Sequence, residues 1–146
     1  MDANQAQDLR SRLVATALEW QAAFGVAPAI TSVLSEFDAA GLVGCPLGTY
    51  CEGASVRTAV SKGHDFTCNG VRYQVKANRP SGKPGSPVTL VAKASNYDWD
   101  RLIWILYDPP YQIVEAWEWT VAEYRVQFDV IGRLSPRHMR GGRRLA

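Results

Sequence analysis

The sequence predicts an α/β domain: a central mixed sheet flanked by helices, behind an N-terminal helical pair. Three observations predict it. Apolar residues recur at three- and four-residue steps through residues 1–44, the helical period. The period switches to two on either side of Asn69-Gly70, the strongest short hairpin signal. And Leu102-Ile103-Trp104-Ile105-Leu106 is an unbroken apolar run of the kind a strand shows when both its faces are buried.

The elements follow in order. Leu9, Leu13, Ala17, Trp20 and Phe24 line one helix that Gly25 stops, and Pro28 opens a second with Ile30, Val33, Leu34 and Phe37 on one face, ended by Gly41. Cys45-Pro46-Leu47-Gly48 is a linker, and Thr49 is placed to cap a third helix over residues 49–60, closed by Lys62-Gly63. Residues 64–68 and 71–77 form the hairpin, with Val71, Tyr73 and Val75 alternating against Arg72, Gln74 and Lys76. Residues 80–85 are a loop. Ser86-Pro87 reads as a helix start, with Ser as cap and Pro in the first turn, so residues 87–94 are expected to be helical. A strand over residues 100–107, a turn at Asp108-Pro109-Pro110, a strand over residues 112–119 and a helix over residues 120–128 complete the order, and residues after Arg133 look loosely ordered.

The 146 residues suit a single domain. Within it, residues 1–44 are the helical pair, 49–107 the core, 111–130 a strand–helix extension and 131–146 a basic tail. An apolar fraction of 47% and a charged fraction of 21% are those of an ordinary globular chain. No apolar run nears the roughly 20 residues that span a bilayer, and Met1-Asp2-Ala3-Asn4 lacks a basic-then-apolar leader. The expectation is a cytoplasmic protein with no membrane partner. Cys45, Cys51 and Cys68 are odd in number and lack close pairs, which argues against a disulfide framework and a structural zinc. Small buried or half-buried thiols are expected instead.

Charge is unevenly spread. Up to Val56 six acids face two bases; from Arg57 to Lys93 seven bases face Asp65 alone; from Arg133 to Arg144 there are five arginines and no acid. Two basic stretches point to a polyanion. No phosphate-cradling Gly-rich loop and no G-x-S-x-G elbow is present, and His64 and His138 have no Ser or Cys partner at a motif spacing.

The chemistry converges on the hairpin. Asp65 begins one strand. Gln74, whose amide oxygen can also ligate a metal, and Lys76 share a face of the next. Glu52 sits on the helix before. Two carboxylates, an amide and an ammonium are a toolkit for phosphodiester hydrolysis. Mg²⁺ takes hard oxygen ligands and keeps several waters; Asp65 is its best direct ligand, Glu52 a second, and the Val75 carbonyl a third. Lys76 is placed to orient the attacking water and to offset charge on the phosphate. Arg79, Lys83 and the Ser86 helix start suit phosphate contact.

Glu52, Asp65 and Gln74-Val75-Lys76, together with the order helix, Asp strand, x-x-Lys strand, helix, strand, resemble the PD-(D/E)XK nuclease superfamily of restriction endonucleases and junction resolvases. The resemblance covers residues 49–107. It implies a restriction-endonuclease-like core, a Mg²⁺-dependent endonuclease (Mn²⁺ also accepted) acting on nucleic acid, DNA first, and a possible homodimer. Its catalytic set becomes Glu52, Asp65, Gln74 and Lys76. Two positions depart from the pattern: His64 stands where a proline precedes the aspartate, and Gln74 replaces an acid, which removes a negative charge. Gln74 therefore also motivates an alternative, a catalytically inactive nucleic-acid-binding or protein-interaction module on the same fold. Plainer readings exist for each residue. Thr49 and Glu52 make a capping box, Asp65 is within reach of Arg72, and the Arg72/Gln74/Lys76 face suits solvent. Tyr97 and Trp99 suit base stacking or, better for such large apolar groups, core packing.

Overall fold

A computed structural model describes residues 1–56 and 63–146. Helix α1 (Ala3–Phe24) starts with a capping box between Asp2 and Gln5, which satisfies donors the first turn would otherwise leave open. It stops at Gly25, whose φ of 87° is left-handed and costs a residue without Cβ nothing. Helix α2 (Thr31–Leu42) turns Ala39 and Ala40 onto the sheet. Helix α3 (Leu47–Val56) follows directly. Its first hydrogen bond runs from the Tyr50 N–H to the Pro46 carbonyl, so Thr49 lies inside the helix rather than capping it. The expected continuation to residue 60, with Arg57 and Lys62, lies outside the described residues.

The strands are β1 (Phe66–Cys68), β2 (Val71–Asn78), β3 (Arg101–Tyr107), β4 (Ile113–Thr120) and β5 (Arg143–Arg144), which lie side by side in chain order. Asn69 and Gly70 turn β1 into β2 with φ of 52° and 80°, the doubly positive backbone that matches strand twist. β1 and β2 are antiparallel, β2 and β3 parallel, and β3, β4 and β5 antiparallel again. The sheet is therefore mixed, as expected.

Both faces are covered, which explains why Leu102, Ile103, Trp104 and Ile105 are all fully buried. One face carries Phe66, Tyr73, Val75, Ile103 and Ile105 under α2 and α3. The other carries Leu102, Trp104 and Trp119 under helix α4 (Val121–Phe128), with Val91, Trp99, Tyr124 and Leu134. Each fully buried aliphatic side chain here contributes about 1.5–3 kcal/mol. Thr120 caps α4 by accepting the Glu123 N–H. On the first face, Arg10 forms a two-pronged pair with Asp38 at 2.8 and 2.7 Å, and the Tyr107 hydroxyl donates to the same carboxylate. That network joins α1, α2 and β3.

Three expectations are corrected. Residues 87–94 form no helix. The backbone of Val91 instead bridges Leu134, and Asn78 donates to the Leu90 carbonyl at 3.0 Å; β-branched Val88, Thr89 and Val91 favour this extended course. The segment after Arg133 is ordered: Leu134 and Met139 are buried, helix α5 (Pro136–Met139) follows, and β5 pairs with β4. Third, Cys45 and Cys68 form a disulfide across 23 residues, with Cα atoms 6.0 Å apart. The fold brings the linker after α2 to the end of β1, a proximity that linear spacing does not reveal. Cys51 is a free, exposed thiol. No described helix is long and apolar enough to cross a membrane.

Candidate functional site

Gly63 starts the approach to the site. Its φ is +68°, and a Cβ there would stand 2.6 Å from the Asp98 Cβ. Only glycine lets the chain pass residues 96–98 and enter β1. Asp65 then donates its N–H to the Tyr73 carbonyl at 2.7 Å. Its own carboxylate Oδ2 accepts the Val75 N–H at 2.7 Å.

β1 pairs with β2 only as far as Phe66 opposite Tyr73. Among the described residues no strand lies on the outer edge of β2 beyond that point, and the Asp65 carboxylate is the acceptor for the Val75 N–H there. A residue's N–H and C=O leave an antiparallel ladder on the same side, so the Val75 carbonyl shares this edge with Asp65.

Alternation sets the faces. Phe66, Tyr73 and Val75 point under α2 and α3, so Gln74 and Lys76 have the opposite parity, while Asp65 lies just before β1. Gln74 and Lys76 are half-buried beside Leu102 and Trp104. Among the described residues Lys76 has no ion-pair partner, and neither does the Gln74 side chain have a hydrogen bond. Arg72 is not the partner of Asp65: it binds Asp100 through its backbone N–H at 2.8 Å and its guanidinium at 3.2 and 3.3 Å. That hydrogen bond holds the Asp100 carboxyl below the usual carboxylate range and pushes the Arg72 guanidinium up.

Asn78 at the end of β2 continues the same face. It accepts the Trp104 indole N–H at 2.9 Å while holding the Leu90 carbonyl. It ties the crossover between β2 and β3 over the strand that carries Lys76. The period-two series Gln74, Lys76, Asn78 was its only signal in the sequence.

The structure thus binds the Asp65 carboxylate to the Val75 N–H at the edge of β2, with Gln74 and Lys76 flanking Val75 along the strand. Glu52 stands on a different element. It is exposed on α3, whose Tyr50 packs edge-on against Phe66 at 6.0 Å on the sheet's other face. Among the described residues no three His, Cys, Asp or Glu side chains form a metal-holding group. The donors at the β2 edge, one carboxylate, one amide oxygen and one backbone carbonyl, are all hard oxygens. They suit a Mg²⁺ that retains most of its waters.

The basic stretches are largely occupied by the protein itself. Arg79 donates to the Pro109 carbonyl at 2.9 and 2.7 Å and to Gln21 at 2.7 Å, with its guanidinium 4.3 Å above the Tyr111 ring. Arg140 is clasped by Glu115, Arg143 by Glu118, and Lys93 by the carbonyls of Asp129 and Ile131. Lys83 and Ser86 are exposed, but with residues 87–94 extended Ser86 presents no helix N-terminus. Lys76, Lys83, Arg133 and Arg137 have no ion pair among the described residues. Trp99 is buried, its indole N–H on the Asn96 carbonyl, and Tyr97 binds Asp129 beneath Arg125. Both aromatics are packing residues. No protein-family model matches this chain, and no curated protein is significantly similar to it.

Proposed function

We propose that this domain is a metal-dependent nuclease that hydrolyses phosphodiester bonds, those of DNA first, at the edge of β2 that Asp65 occupies. The observation that carries the reading is the 2.7 Å hydrogen bond from the Val75 N–H to Asp65 Oδ2. It fixes a carboxylate beside the Gln74-Val75-Lys76 segment, where Lys76 has no ion pair among the described residues. In this reading the core is restriction-endonuclease-like, of the PD-(D/E)XK kind in its Gln-x-Lys form.

Asp65, the Val75 carbonyl and the Gln74 amide oxygen would hold Mg²⁺ or Mn²⁺. Bound there, the ion supplies Lewis acidity and lowers the pKa of a coordinated water. Lys76 places a positive charge where charge grows on the phosphate, in a half-buried setting that strengthens it. Lys83 and Ser86 in the crossover loop offer contacts to the phosphodiester backbone. Glu52 keeps a place in the proposal as a more distant acid acting through water.

The second reading is an inactive nucleic-acid-binding or interaction module. What favours it is the neutral Gln74 beside a single carboxylate. One assay set separates the two: cleavage of plasmid, single-stranded DNA and RNA with Mg²⁺ or Mn²⁺, beside calorimetric metal binding. The nuclease reading expects metal-dependent nicking that Asp65→Ala and Lys76→Ala both abolish. Binding of nucleic acid without cleavage of any substrate selects the module. Equal residual cleavage in wild type and both variants marks a contaminant and sinks the enzyme.

A further inference from the structure

Seven of the eleven large apolar side chains exposed among the described residues fall within residues 1–33. Four of them make a stripe along α1: Leu9, Leu13, Trp20 and Phe24, between 40% and 69% exposed. The domain leaves about half of this stripe uncovered, Leu9 and Leu13 sharing an apolar groove with Val33, Leu34 and Phe37. It packs α1 through Ala6 and Ala17, the latter against Ile30, Leu34 and Tyr111. A continuous exposed apolar strip of this kind marks a contact surface.

The spacing says what covers it. Leu9 and Leu13 are four apart, Leu13 and Trp20 seven, Trp20 and Phe24 four. The series reads the same from either end, which is the condition for two antiparallel copies of one helix to meet about a two-fold axis. With that axis between Thr16 and Ala17, Leu13 meets Trp20 of the second copy and Leu9 meets its Phe24.

Charge agrees. Asp8, Arg12 and Glu19 lie along the open flank of the stripe, one helical step round from it. Arg12 reaches only Asp8, at 3.1 Å with both side chains 70% exposed, and Glu19 has no ion pair among the described residues. Antiparallel packing about that axis brings Arg12 of each copy within two residues of the level of Glu19 of the other, about 3 Å along the helix and inside the reach of an arginine side chain. The helical pair is also more acidic than basic, which disfavours nucleic acid or an anionic lipid surface as the occupant.

We infer that the protein is a dimer in which α1 packs antiparallel on α1 of a second copy. The inference stands apart from the nuclease reading, since none of its residues belongs to the β2 edge. Sedimentation across a concentration series tests it with the full chain. The expected result is a reversible dimer whose dissociation constant rises roughly 30-fold in Trp20→Glu, the effect of losing an aromatic anchor. Arg12→Glu and Glu19→Arg should each weaken it about two- to fivefold, and the double exchange should restore it. As an independent readout, Thr16→Cys in a Cys51→Ser background should join two copies when a copper–phenanthroline oxidant takes the two thiol hydrogens, while Ser11→Cys, on the far side, should not. A monomer at every concentration, or a dimer indifferent to Trp20→Glu and uncrosslinked through Thr16→Cys, overturns the inference. Should Trp20→Glu fail to fold, the charge exchange and the cross-link still decide.

Discussion

Asp65 and Val75 are bound side chain to backbone, carboxylate Oδ2 to amide N–H, at 2.7 Å. The contact gives Asp65 a structural duty as well as its proposed ligand role, and two substitutions separate them. Asp65→Asn keeps an oxygen for the Val75 N–H but loses the charge. Its stability should change little while metal binding disappears. Asp65→Ala leaves the N–H without an acceptor and should lose about 1–3 kcal/mol as well. Urea unfolding and calorimetry with Mn²⁺ measure the two effects.

Lys76 has no ion pair among the described residues. Lys76→Ala should therefore shift the unfolding free energy by no more than about 0.5 kcal/mol, while cleavage falls about a hundredfold or more. A large loss of stability would recast Lys76 as a packing residue.

The Cys45–Cys68 bond closes a 23-residue separation. Chain entropy alone assigns such a link about 3 kcal/mol. Unfolding midpoints measured with and without dithiothreitol should differ accordingly, and the difference should vanish in Cys45→Ala/Cys68→Ala.

Acid should weaken the fold through identified carboxylates. The hydrogen bond from Arg140 holds the Glu115 carboxyl below its ordinary range, and that from Arg72 does the same for Asp100. A depressed folded-state pKa gives stability that is present above the unfolded value, about 4, and is lost as pH falls through the folded one. Stability should decline below about pH 4, and Glu115→Gln should flatten that slope. Both glutamate and arginine sit partly in water, so the change is modest.

Asp38 receives both Arg10 and the Tyr107 hydroxyl while itself only 6% exposed in its side chain. Asp38→Ala strands both partners and should cost about 3–5 kcal/mol, enough to release α1 from the sheet. Circular dichroism and a drop in thermal midpoint would show it.

What could be read from the sequence was whatever is local. Gly25 announced the end of α1, Asn69-Gly70 the hairpin, and the parity of Gln74 and Lys76 followed from a period of two. Ser86-Pro87 misled because its helix signal is local, whereas Val91 is claimed by Leu134, far along the chain. The arginines of the last segment looked like a ligand surface because composition cannot show that Glu115 and Glu118 wait for them on β4. The place of Glu52 on a helix before the Asp strand is likewise local. Which way that helix faces is settled by Tyr50 and Phe66, a contact no periodicity contains.

β5 is only two residues long, yet it changes what the end of the chain does. Trp117 and Glu118 pair with Arg144 and Arg143, and Ala116 exchanges hydrogen bonds with Leu145 and Ala146. These few residues are a stopper on the rim of β4, armed with cations that repel a second sheet. Ending the chain at Arg140 would uncover a tryptophan-bearing rim, and the expected penalty is clumping of folded molecules rather than loss of charge for a polyanion.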